Sequence, residues 1–161
     1  MNELALRCRE ENIHTAIETC AYVPWKNFEK VLANIDLFMF DVKHTNPEKH
    51  KELCGRSNRL IFENLKRLSK VSGKEAIIRV PLIPGMNDSA ENLQNIARLA
   101  ASLDGNIRRI ELLPYHRFGE KKYERLGREY ALNGVSVPSE ERMQEFKHLM
   151  EGFGIDIKVG G

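Results

Sequence analysis

Short apolar runs alternate along the whole chain with stretches whose apolar residues recur at helical spacing, and this alternation limits the fold more than any other feature. Residues 37–42 (LFMFDV) form a continuous apolar run closed by a charge, and residues 76–83 (AIIRVPLI) form a second, which Pro81 is expected to limit. Residues 14–18 (HTAIE) and 109–113 (RIELL) read as two more strands, and residues 156–159 as a short final one. Between them lie amphipathic segments. One opens at Pro24, with Trp25, Phe28, Val31, Leu32 and Ile35 on one face. A second starts at Asn46-Pro47, a cap followed by proline at the first helical position. A third begins at Ser57, carries Ile61, Leu65, Leu68 and Val71, and ends at Gly73. A fourth follows Asp88 and Glu91, read as a capping box, with Leu93, Ile96, Ala97, Ala100 and Leu103 inward. The last is capped by Ser139 and points Met143, Phe146, Met150 and Phe153 inward. Residues 2–12 read as a helix and residues 115–137 as irregular.

Apolar strands bracketed by amphipathic helices predict an α/β fold with a parallel sheet covered on both faces. With 161 residues, the expectation is a single domain over 1–161. Lys plus Arg number 25 against 23 Asp plus Glu, a balance that excludes a dedicated polyanion binder but not a local anion pocket. The start, MNELALRCREEN, is charged, and the longest apolar run, from Leu37 to Phe40, is far too short for a membrane span. A cytoplasmic protein without nucleic-acid or membrane partners is therefore expected. The three cysteines, Cys8, Cys20 and Cys54, match no metal-ligand spacing and are read as reduced, mostly buried thiols.

Polar residues gather where the strands end: Glu18 and Thr19, Asp41 and Lys43, Tyr115 and His116, with Arg79 inside its strand. In parallel α/β folds that edge is where ligands bind. Asp41 and Lys43 are two apart and point to the same side of their strand, so they pair with each other or bind a zwitterion. Arg79 needs an anion, which is Glu18, Asp41 or a ligand carboxylate. His116 serves as a base, a metal ligand, a contact to a sugar or a hydrogen-bonded structural group. The turn Pro84-Gly85-Met86-Asn87-Asp88 reads as a tight connection from strand to helix.

The strings IETCAYVPW, DLFMFDVKHTNPEKHKELCGRSN, IRVPLIPGMND and ELLPYHRFGEKKYERLGREYALNGVSVPS together resemble the glycyl-radical-enzyme activating enzymes of the radical S-adenosylmethionine superfamily. The resemblance implies an incomplete, TIM-like (β/α) barrel, with about four parallel strands that correspond to strands three to six of a partial (β/α)6 barrel. It implies S-adenosylmethionine and a 4Fe-4S cluster as cofactors, a 5′-deoxyadenosyl radical, and hydrogen abstraction from a glycine of a partner enzyme. Pyruvate formate-lyase is the expected partner, and reduced flavodoxin or ferredoxin the expected electron donor. By the same resemblance Asp41, Val42 and Lys43 contact S-adenosylmethionine, His116 its nucleoside, and Arg79 its carboxylate or the substrate region. Glu18 and Thr19, with Met39, stand where a monovalent cation is held, although the family has Asp in place of Glu18 and Asn-Gly in place of Cys20-Ala21. No CxxxCxxC cluster motif is present. The chain is therefore expected to be the later part of an activase, inactive by itself and prone to self-association through its exposed sheet edges. Two other readings stand beside it: a naturally short, non-catalytic binding protein for a glycyl radical enzyme, and an unrelated phosphate-binding α/β enzyme.

Overall fold

The computed structural model describes residues 1–103 and 105–160. Its sheet has five parallel strands in the order β1-β2-β3-β4-β5: β1 (Ala16–Thr19), β2 (Leu37–Asp41), β3 (Glu75–Leu82), β4 (Ile107–Pro114) and β5 (Ile157–Val159). Each strand lies beside its successor, with no reversal of order. This is the strand order of a barrel segment, not of a doubly wound sheet. Among the described residues no helix is long and apolar enough to cross a membrane.

The helices are α1 (Asn2–Glu10), α2 (Trp25–Leu32), α3 (Pro47–Cys54), α4 (Arg59–Leu68), α5 (Ala90–Ala101), α6 (Glu120–Arg125) and α7 (Glu140–Glu151). Asn46 caps α3 as expected, its side chain accepting from the amides of Glu48 and Lys49, and Gly55 closes that helix at φ +74°. Two caps differ from expectation. The cap of α5 is Ser89, whose hydroxyl accepts from the Asn92 amide, while the Asp88 carboxylate turns back to the Gly85 amide. Helix α4 starts after Asn58 and not at Ser57, and has no side-chain cap. The 115–137 segment is less irregular than expected: a 3-10 turn (Arg117–Gly119) runs into α6, a helix too polar for its periodicity to stand out.

Within β2, β3 and β4 the core-facing residues alternate along the strand, the bulge between Ala76 and Ile77 letting Ile107 join them. Phe38, Phe40, Ile78, Val80, Leu82, Ile110 and Leu112 pack in one cluster with residues of α1, α2, α4, α5 and α7. The expectation of a sheet covered on both faces is thus corrected. The helices contributing to this core lie on one face, and the alternate residues Leu37, Met39, Asp41, Arg79, Pro81, Arg109 and Leu113 are half-buried on the other. Apolar residues at Leu37, Met39 and Leu113 made both faces look like core in the sequence.

Pro81 does not stop β3, which pairs through Leu82. Asn87 takes over the bonding there: its Nδ2 donates to the Pro81 carbonyl at 2.7 Å and its Oδ1 accepts from the Ile83 amide at 2.8 Å. The cysteines are less buried than expected. Cys8 and Cys20 are half-buried, and Cys54, at the last turn of α3, is exposed.

Candidate functional site

Sheet register builds a row of charges on the uncovered face. Asp41 of β2 pairs with Arg79 of β3, Arg79 with Glu111 of β4, and Glu111 with Lys158 of β5. Signs alternate along the row, so each charge has opposite neighbours about 5 Å away across the strands. Arg79 is the centre of this row, its side chain only 16% exposed. Its Nη1 lies 2.5 Å from Glu18 Oε1, reaching over β2 to β1. On the other side Glu111, 5% exposed, holds Arg109 through Oε1, at 2.9 Å from Nε and 2.7 Å from Nη2. Glu111 Oε2 is 3.9 Å from Arg79 Nε. That Nε is buried and, among the described residues, has no hydrogen-bond partner.

Of the anions expected for Arg79, the structure selects Glu18, while Asp41 pairs with Lys43 at 3.5 Å. Val42 is 1% exposed, packs into the core and reaches the site only through its backbone, its amide bonding to the Arg79 carbonyl at 2.9 Å. Thr19 points away from Glu18 by strand alternation, and its hydroxyl accepts from the Ala21 amide at 2.8 Å. Glu18 is the register partner of Met39 on β2. His116 follows β4, but among the described residues it makes no contact with the charge row. Its ring lies 4.3 Å from that of Phe118, and Nδ1 accepts from the Phe118 amide at 3.4 Å.

Two features were missed by sequence reasoning. Glu111 is one; its signal was Arg109 two residues earlier on the same strand face. The other is a set of buried asparagines that fastens the loops after β2 and β3. Asn87 Nδ2 donates to the Lys43 carbonyl at 2.9 Å. Asn92 donates to the Asn87 carbonyl and accepts from the Thr45 amide and hydroxyl. Asn58 donates to the carbonyls of His44 and Thr45. Nearby, burial holds the His44 imidazole below the usual histidine value, with His50 and Lys49 adding to the effect. A mostly apolar cavity of about 260 Å³ opens beside Lys43, lined also by Leu53, Met86 and Leu132.

The row offers fixed cations, fixed carboxylates and one unsatisfied guanidinium nitrogen, which suits a small zwitterion with a carboxylate. Iron–sulfur ligation is a different matter. Clusters are held by several closely placed thiolates. Among the described residues no group of three or more His, Cys, Asp or Glu side chains could hold a metal ion. The residues present therefore do not fit a cluster.

The profile of the Radical SAM superfamily matches residues 1–100. A trans-4-hydroxy-L-proline dehydratase activating enzyme of Clostridioides difficile is 39% identical over 154 residues, covering 96% of this chain and 51% of its own. A 4-hydroxyphenylacetate decarboxylase activating enzyme of Clostridioides difficile strain CD196 is 41% identical over 161 residues, covering 99% of this chain and 50% of its own. The chain spans about half the length of these curated relatives. Among solved structures, a domain of pyruvate-formate lyase-activating enzyme from Bacteroides vulgatus ATCC 8482 superposes with a TM-score of 0.81 at 28% identity, over 99% of this chain and 89% of that one.

Proposed function

Because the chain belongs to the Radical SAM superfamily, and its curated relatives are activating enzymes, we propose that it forms part of the S-adenosylmethionine pocket of a glycyl-radical-enzyme activating enzyme. The observation that carries the reading is Arg79, a guanidinium held in the sheet on the uncovered face whose Nη1 is met by the exposed Glu18 carboxylate. Arg79, with Lys43 beside it, would take the ligand carboxylate. Asp41 would face the ammonium and sulfonium, and His116, presented by its stack on Phe118, the nucleoside. Val42 would contribute its backbone. S-adenosylmethionine, when bound, supplies the group that takes a hydrogen atom from glycine; the residues here bind and orient it.

The partner in this reading is a glycyl radical enzyme. Pyruvate formate-lyase is the candidate drawn from the resemblance, and it should be assayed beside the dehydratase and decarboxylase that relatives name. Reduced flavodoxin or ferredoxin would serve the whole enzyme as electron donor. The chain by itself is proposed to be inactive, since among the described residues it carries no donor set for a cluster.

Equilibrium dialysis with S-adenosylmethionine tests the pocket. A charge-assisted hydrogen bond contributes about 1.5–3 kcal/mol, so Arg79→Gln should weaken binding by roughly 10- to 150-fold. Equal affinity in wild type and Arg79→Gln would refute the assignment.

A further inference from the structure

The two carboxylates on Arg79 are not equivalent. Glu111 is 5% exposed and tied to Arg109 by two hydrogen bonds, so its position is fixed. Glu18 is 64% exposed and comes from β1, where only one neighbouring strand pairs with it. It meets Arg79 at Nη1, whereas Glu111 lies at Nε. An exposed partner of this kind is exchanged at little cost, whereas a buried one is not.

We propose that Glu18 is an exchangeable stand-in for the ligand carboxylate on Arg79, and that Glu111 is the positioning residue that keeps the guanidinium in place when Glu18 leaves. The proposal rests on the reading that Arg79 receives a ligand carboxylate. A carboxylate arriving from the uncovered face takes the Nη1 edge that Glu18 vacates. Glu111, on the opposite side at Nε, preserves the orientation of the fork throughout. Arg79 then keeps an anionic partner with and without ligand, because one carboxylate replaces another on it.

The direction of the effect separates this from a direct role of Glu18 in binding. S-adenosylmethionine carries one carboxylate and two positive groups, a net cation. Removing a nearby acid should therefore loosen its binding on general electrostatic grounds, and loosen it further if Glu18 faced the ammonium or a bound cation. Loss of a competitor does the opposite.

The experiment is made on the 161-residue chain with three variants, Glu18→Gln, Arg79→Gln and Glu111→Gln. Affinity for S-adenosylmethionine is read by equilibrium dialysis. The rate of phenylglyoxal labelling at Arg79 is read by peptide mass spectrometry without ligand. Glu18→Gln should tighten binding about 2- to 5-fold, the range open to an ion pair with one exposed partner. It should also speed labelling of Arg79. Weaker or unchanged binding in Glu18→Gln, or an unchanged labelling rate, overturns the proposal. If Arg79→Gln binds as wild type does, the pocket reading fails, and the ligand-free labelling rate still decides whether Glu18 guards Arg79. Glu111→Gln should speed labelling of both Arg79 and Arg109; protection of Arg79 unchanged in that variant overturns its positioning role.

Discussion

Asn87→Ala should be among the most damaging single changes near the candidate site, although Asn87 touches none of the charged side chains. The residue is 3% exposed and its amide makes three hydrogen bonds, from the Ile83 amide and to the carbonyls of Lys43 and Pro81, at 2.8, 2.9 and 2.7 Å. Each such bond contributes about 0.5–1.5 kcal/mol net, and the three bonds are part-buried, so the middle of the summed range applies. The expected loss is about 3 kcal/mol. For a domain of this size that corresponds to a fall in Tm of roughly 6–12 °C. The assay is urea and thermal unfolding followed by circular dichroism. Asn87→Asp keeps the acceptor for Ile83 but loses both donors and sets a carboxylate against two carbonyls, so it should be no more stable than Asn87→Ala. Since Asn87 also anchors the Lys43 carbonyl, both variants should bind S-adenosylmethionine more weakly. A loss below about 0.5 kcal/mol for Asn87→Ala, the scale of an ordinary surface change, would refute the claim that this side chain joins the two loops.

Tyr130 is pushed up to about 12, chiefly by its hydrogen bond with Tyr115 at 3.1 Å between the hydroxyls. A tyrosine raised in the folded state contributes stability fully present below its ordinary value of 10 and lost as pH rises through about 12. Ultraviolet titration should show Tyr115→Phe bringing Tyr130 back toward 10, and an unchanged titration would refute the pair. Asp36 is held below the ordinary carboxylate value, first by the Thr15 amide that donates to it at 2.8 Å. Its contribution is therefore present above pH 3.8 and lost as pH falls through the lowered folded value, so Asp36→Asn should flatten the acid limb of the stability profile. Among the described residues strands β1 and β5 each have a single neighbour in the sheet, and sedimentation velocity should show self-association of the chain; a monodisperse monomer would refute it.

Local features that depend on strand parity were legible in the sequence, whereas of the caps those of α3 and α7 were read and those of α4 and α5 were set one residue early. Asp41 and Lys43 are two apart, and they do face the same side and pair. Asn46 and Pro47 mark the start of α3 as read. Non-local features were hidden. Glu111 meets Arg79 only because β3 and β4 pair in one register, and nothing within RIELL specifies that register. The asparagines were hidden by composition. Asn64 lies among Ile61, Leu65 and Leu68 on the inward stripe of α4, yet it is fully buried and donates to the carbonyls of Ala21 and Val23. A polar residue on an apolar stripe was the signal. His116 was correctly set at the strand edge, but its aromatic partner Phe118 was not foreseen, since the 3-10 turn that brings the two rings together has no periodicity to read.

The uncovered face also explains how so many charges coexist with an apolar sheet. On a face sealed by helices each unpaired charge would cost several kcal/mol in desolvation, and even a paired one gains little over a well-packed apolar residue. Here Arg79, Arg109 and Lys158, with Lys43 just past β2, stand near three carboxylates, Glu18, Asp41 and Glu111. Stability alone does not call for them, because leucine or valine at the same positions would make a more stable sheet if the face were meant to be closed. A near-neutral balance also argues against a polyanion, which would favour a surplus of cations. What the row suits is a ligand carrying both signs, small enough to reach a guanidinium set between strands and polar enough to replace the carboxylate already there.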